Sequence, residues 1–253
     1  MKQPRIREIL DARVEDITTL IDALAQEPRP EVRERLLFNL CRIHRMVAIA
    51  KLLTQADVHS FRNHLRMSGE ARYQLLFLPG QKGRRPGRFQ AAGNIAPLCD
   101  ALVSGESLLA RNIAALCPDS WMEGYEFEDD FWYGRFLCLL VQDGIKSPAA
   151  QQALDRWQRS LAGEESPRLQ ICQAICATDP TCFGAGMHDL IREREEQHRK
   201  KEKAGKDLFR DPDRHWTERF IFVEGLALLL LAERAGIATE PEYPCMPAFA
   251  RAP

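Results

Sequence analysis

The sequence lacks a membrane span. Its most apolar stretch, FIFVEGLALLLLA at residues 220–232, carries Glu224 and is shorter than the roughly 20 residues that cross a bilayer. A buried core helix is expected there. A secretory signal is missing too, because the opening MKQPRIREILDARVEDITTL mixes charged with apolar side chains and never builds an apolar core. Net charge is nearly absent: 35 Lys+Arg against 36 Asp+Glu leaves −1. That excludes a nucleic-acid binder working through overall positive charge, since there is no excess to release counterions. Sustained alternation of apolar and polar residues is also missing, which argues against a sheet. No GxSxG, HExxH, GxGxxG or CxxC motif occurs.

What is present is ordinary globular material. Hydrophobic residues make up 45% and charged residues 28%, which excludes wholesale disorder. Eight cysteines sit mostly among apolar neighbours, as in LLFNLC and RFLCLLV. With no signal peptide, they read as reduced, mostly buried thiols in a cytoplasmic protein. Cys172, Cys176, Cys182 and His188 cluster in sequence, but their spacing matches none of the usual structural zinc patterns. No metal and no cofactor is expected.

The dominant signal is helical periodicity. Ile6, Ile9, Leu10, Ile17, Leu20, Ile21 and Leu24 recur three or four apart and define one apolar stripe. The pattern breaks at Pro28 and Pro30. A second helix runs through Val32, Leu36, Leu40, Ile43, Val47 and Leu53, and a third covers about 56–78, with a possible split at Ser68-Gly69. In the C-terminal half, Ser147-Pro148, Ser166-Pro167, Asp179-Pro180 and Asp211-Pro212 each precede an apolar-periodic stretch. Ser or Asp can cap a helix by accepting a free N–H, and proline suits the position that follows. Gly144, Gly163 and Gly236 stand where a left-handed residue closes a helix. Positions 147, 179 and 211 are 32 apart each time. This is close to the length of tetratricopeptide-type units, although chance spacing of ordinary antiparallel helices explains it equally well.

The fold expected is all-α: stacked antiparallel helical hairpins, repeat-like or not in the C-terminal half. Residues 1–253 are read as one helical domain. A subdivision at the loop PGQKGRRPGR, residues 79–88, would give a bundle over 1–80 and a hairpin array over 89–253.

Three charged segments are candidate sites. Lys82, Arg84, Arg85 and Arg88 occupy the Pro- and Gly-rich loop. They resemble a phosphate cradle only superficially, because no Ser or Thr follows as a P-loop requires. The stretch REREEQHRKKEKAGK at 192–206 has mixed sign, with a basic end at Arg199, Lys200, Lys201 and Lys203. It reads as a solvated helix face, with no interleaved aromatics to stack on bases. The third segment, CPDSWMEGYEFEDD at 117–130, holds Asp119, Glu123, Glu126, Glu128, Asp129 and Asp130 without a Lys or Arg between 119 and 130. Trp121, Tyr125 and Phe127 are woven in, and Phe131, Trp132 and Tyr133 follow. Carboxylates suit the start of a helix over 127–143, whose dipole favours negative charge there. Aromatic anchors beside a charged rim equally suit a protein interface. The partner-contact candidates are Trp121, Glu123, Tyr125, Glu126, Glu128, Asp129 and Asp130. No catalytic residue is assigned, and no enzyme is expected.

Three stretches resemble the immunity protein 49 family of bacterial polymorphic-toxin systems. They are EFEDDFWYGRFLCLLVQDG at 126–144, SPRLQICQAICATDPTCFGAGMHDLIREREEQHRK at 166–200, and IFVEGLALLLLAERAGIATEPEYP at 221–244. The last ends in Glu242-Tyr243-Pro244 and is the most specific. The resemblance implies an all-helical protein that neutralises a cognate toxin by direct, stoichiometric binding. It names no functional residue and leaves the toxin's chemistry open. Together with the missing signal peptide, it implies a toxin that acts in the cytoplasm. A helical adaptor unrelated to toxins is the alternative. Binding to nucleic acid or membrane is not expected.

Overall fold

The structure is a computed structural model and describes residues 3–78, 86–204 and 211–251. It contains α1 (Gln3–Gln26), α2 (Pro30–Gln55), α3 (Val58–Leu76), α4 (Ala96–Val103), α5 (Ser107–Leu116) and α6 (Glu128–Asp143). The C-terminal part adds α7 (Pro148–Ser160), α8 (Pro167–Ala177), α9 (Pro180–Ala204), α10 (Pro212–Glu218) and α11 (Val223–Arg234). No strand occurs among the described residues, so the fold is all-α.

The helix starts follow local chemistry. Ser147 accepts from the Ala150 N–H, Ser166 from Leu169 and Asp211 from Arg214, and each is followed by a proline. Asp179 does the same for Thr181 and Cys182. The three starts spaced 32 residues apart open helices of 13, 25 and 7 residues. Gly144, Gly163 and Gly236 all take positive φ at or just beyond a helix end.

Sequential helices pair. α1 lies on α2, α2 on α3, α6 on α7 and α8 on α9. α4 closes the middle by packing on both α3 and α11. The largest core cluster runs from Ala48 and Ile49 in α2 to Met246 and Ala250, with α11 threaded through it. Leu226, Leu228 and Leu229 are fully buried. Each contributes roughly 1.5–3 kcal/mol by leaving water. The apolar stretch at 220–232 is therefore core, and no helix is long and apolar enough to cross a membrane among the described residues.

Two expectations shift, and one falls outside the described residues. α3 is not split at Ser68-Gly69 but runs straight through it. Ser68 is buried and donates to Asp100 Oδ2 at 2.6 Å. A Cβ on Gly69 would stand 3.0 Å from Ala101 and Leu109, so the small pair serves close helix packing rather than a break. Ile21 leaves the α1 stripe and is exposed, while Ile6, Ile9, Leu10 and Ile17 are buried. The loop residues Lys82, Arg84 and Arg85 lie outside the described residues, as does Lys206.

All eight cysteines are free thiols. Cys41, Cys99, Cys117, Cys138 and Cys172 are buried, and Cys182 is exposed. Burial pushes the Cys41 thiol up to about 12, so it stays protonated. No group of three or more His, Cys, Asp or Glu placed to hold a metal occurs among the described residues.

Candidate functional site: an acidic, aromatic groove

The site is organised by one buried arginine. Arg72 of α3 is 2% exposed. Its guanidinium donates to the carbonyls of Phe89 (2.6 Å), Gln90 (3.1 Å) and Ala91 (2.8 Å). A buried guanidinium needs acceptors, and three successive carbonyls can supply them only if the chain is held in one path. The Gln90 side chain adds a bond to the Leu75 carbonyl at 3.2 Å. On the other side, α6 comes in against the same strip through Gly134. A Cβ there would lie 2.1 Å from the Ala92 oxygen, so only glycine fits. Residues 91–94 thus form a fixed ridge between α3 and α6.

One flank of this ridge is a groove of about 630 Å³. Its far wall is the acidic segment. Trp121, Glu123, Tyr125, Glu126, Glu128 and Asp130 all line it. Asp129 sits in the same first turn of α6 but not in the groove wall. Large rings stand in solvent here: Trp121 is 39% exposed, Tyr125 61% and Phe127 77%. Such a concentration of exposed aromatics is unusual for a surface that meets only water.

The carboxylates divide into two kinds. Glu126 is structural as well as acidic. Its Oε2 accepts the Gly93 N–H at 2.6 Å, and its carbonyl accepts the Trp121 indole N–H at 3.1 Å. Burial raises the Glu126 carboxyl, and the Gly93 N–H works against that rise. Asp130 is also raised, first by burial and then by the charge of Asp129. Glu128, Asp129 and Asp130 open α6, where the helix dipole favours them. Glu128 also accepts the Trp132 indole N–H at 3.1 Å. The helix-start role and the surface role therefore coexist in one segment. Phe136 and Leu140 of the same helix are core.

Sequence reasoning missed part of the groove. Phe127 is its most exposed ring, though it was passed over as a contact. Phe38 of α2 and Arg88 close the opposite side. Arg88 stacks over Phe89 at 4.6 Å, and Phe89 tilts against Phe38 at 5.0 Å. The pairing brings a cation from the basic loop to the acidic groove. No local signal announces this, because residues 38, 88 and 121–130 meet only through the fold. The basic end of α9 is a solvated face: Arg199, Lys200, Lys201 and Lys203 are all exposed. The groove offers rings for contact area and carboxylates for steering a cationic surface.

The sequence pattern described as Immunity protein 49 matches residues 39–250, from the middle of α2 to the end of the core. No curated protein matches the chain, and no solved structure does. The matched region takes in the ridge, the groove apart from Phe38, and all of α3 to α11, and on that extent the chain belongs to the immunity protein 49 family.

Proposed function

We propose that this immunity protein neutralises a cognate antibacterial toxin by direct, stoichiometric binding, with the acidic aromatic groove as the contact surface. Membership of the family makes it an immunity protein of a toxin system. One observation carries the choice of surface: Trp121, Tyr125 and Phe127 stand exposed around a groove rimmed by Glu123, Glu128 and Asp130. Buried aromatic anchors dominate interface energies, and rim charges set encounter rate and selectivity. An acidic rim suits a toxin with a basic substrate cleft, as enzymes acting on nucleic acids or nucleotides have. Inhibition then follows from covering that cleft, in the cytoplasm where such substrates are found.

The test uses residues that hold nothing else in place. Neither Glu123, Tyr125 nor Phe127 makes a side-chain hydrogen bond within the described chain, whereas Glu126 anchors Gly93. The triple variant Glu123→Lys, Tyr125→Ala, Phe127→Ala is expected to fold normally. It should lose about 2 kcal/mol or more of affinity for the product of the adjacent toxin gene. Co-expression with that toxin should no longer rescue growth. Full affinity in the triple variant would remove the groove from the interface. Wild-type association should also slow as salt is raised, because exposed charges are screened within about 10 Å at 0.1 M.

A further inference from the structure

The opposite flank of the Gly93–Asn94 ridge is a separate cleft of about 320 Å³. It differs from the groove in sign. Arg45, Arg168, Arg194, Lys201 and Arg214 line it, against Glu218 and Glu224.

Three of the five cations are matched. Arg45 pairs with Asp100 at 2.7 Å beneath the floor. Arg168 grips both oxygens of Glu224, at 2.6 and 3.1 Å, and Tyr133 adds its hydroxyl to the same carboxylate at 2.9 Å. Burial alone would raise Glu224, but Arg168 and Tyr133 hold it below its ordinary value, so it stays ionised. Arg214 pairs with Glu218 at 2.9 Å.

Two cations remain. Arg194 donates to the backbone carbonyls of Glu218 and Arg219, bonds the Cys245 side chain and stacks over Phe222 at 4.7 Å, but it makes no ion pair among the described residues. Lys201 makes no ion pair among the described residues. His198 stands between them, one helical turn from each, and burial lowers it to about 4, so it is neutral and adds no charge of its own. Burial also lowers Arg194, with Cys245, Glu218 and Glu224 opposing it. Five cations thus face two carboxylates in the cleft wall, an excess of positive charge that suits an anionic ligand.

The backbone points the same way. α4 and α11 both begin at this cleft, with Ile95, Ala96, Phe222 and Val223 in its wall. Neither helix has a side-chain cap, a feature they share with α2, α5 and α6. The dipoles of the two helix starts add partial positive charge to that of Arg194 and Lys201, although Pro97 leaves α4 one N–H fewer.

We infer that this cleft is a binding site for a phosphate-bearing small molecule, with Arg194 and Lys201 as its primary anion contacts. Its volume falls at the small end of the range for small-molecule sites and exceeds what a lone phosphate needs. The apolar wall of Ile221, Phe222 and Val223 would take the rest of the ligand. The guanidinium fork of Arg194 matches the geometry of phosphate oxygens, and Lys201 contributes a mobile point charge at the mouth. The site stands independently of the toxin-binding groove.

The test is calorimetric titration of the whole chain with pyrophosphate and with ADP at low ionic strength, and with adenosine as the uncharged control. Pyrophosphate or ADP is expected to bind once per chain and saturably, with adenosine silent. Lys201→Ala, a substitution at an exposed position that leaves the fold intact, should weaken binding about tenfold. Arg194→Gln should abolish it, and circular dichroism checks that this variant is folded. If Arg194→Gln does not fold, the Lys201→Ala result decides alone. The inference is overturned if neither anion binds saturably at millimolar concentration. It is equally overturned if Lys201→Ala binds as tightly as wild type.

Discussion

The groove and the cleft share one ridge and differ in almost everything else. The groove takes most of its chemistry from one segment, 121 to 130, with Phe38, Arg88 and the ridge residues Ala91, Gly93 and Asn94 added from elsewhere. The cleft takes its cations from the consecutive helices α8, α9 and α10 and from the remote α2. In the groove, charge stands in solvent beside large exposed rings. In the cleft, Arg45, Arg168 and Arg214 are paired with carboxylates, while Lys201 stands exposed. An exposed acidic surface can be altered with little effect on stability. A recessed basic one is tied to the core, because removing one partner leaves the other desolvated and alone.

The comparison breaks first at what both regions share. Arg72→Met removes the donor for three buried carbonyls and should lower stability by about 4 kcal/mol, counting 1–3 for each acceptor with partial relaxation. Urea unfolding measures this. Loss of toxin binding and of anion binding together in the surviving folded fraction would confirm the shared ridge. A change under about 1 kcal/mol would show that Arg72 does not hold it.

The next variant separates the two. Asp100→Asn leaves Arg45 without its buried carboxylate and should cost about 3 kcal/mol. Asp100 lies under the cleft rather than the groove, with Ser68 as its second partner. Toxin affinity of the folded variant should stay at the wild-type value while anion binding falls. Equal damage to both would mean that the ridge transmits the disturbance.

A third test lies away from both. His44 and His64 face each other with Nδ1 atoms 3.1 Å apart. Burial lowers both to about 4, helped for His44 by His64 and for His64 by Lys51, with Asp57 opposing. A pair lowered on folding is stabilising while both rings are neutral. That contribution is complete above the unfolded value near 6.5 and is lost as pH falls from there through 4. Stability should drop by about 2 kcal/mol across that window. His44→Gln should flatten the slope. An unchanged slope in that variant would assign the acid sensitivity to other groups.

The smallest stability effect belongs to the groove surface. Trp121→Ala loses a half-exposed ring and one bond to the Glu126 carbonyl. It should change the unfolding free energy by no more than about 0.5 kcal/mol. Toxin affinity should nonetheless fall. A large stability loss would recast Trp121 as a structural residue.

Much of the local structure was legible. Ser147, Ser166, Asp179 and Asp211 cap the helices that their proline neighbours announced. Capping depends only on residues within one turn, so sequence suffices. The acidic segment was legible for the same reason. Ser68-Gly69 was not, because a small pair reads alike whether it ends a helix or admits a neighbour. Ala101 and Leu109 decide which, and they lie more than thirty residues away. Ile21 kept the helical period yet ended in solvent, since period marks a face and not what covers it.

The sequence by itself determined that this chain is helical, where most helices start and stop, and which surface segment is acidic and aromatic. Those are short-range consequences of period, caps and adjacent charge. Only the tertiary structure decided that Arg72 gathers residues 89–91 into a ridge, that Arg88 crosses to the acidic side, and that scattered arginines converge into a cleft. Each depends on distances between groups remote along the chain. Desolvation and pairing then settle which charges are compensated, and neither is encoded at any single position.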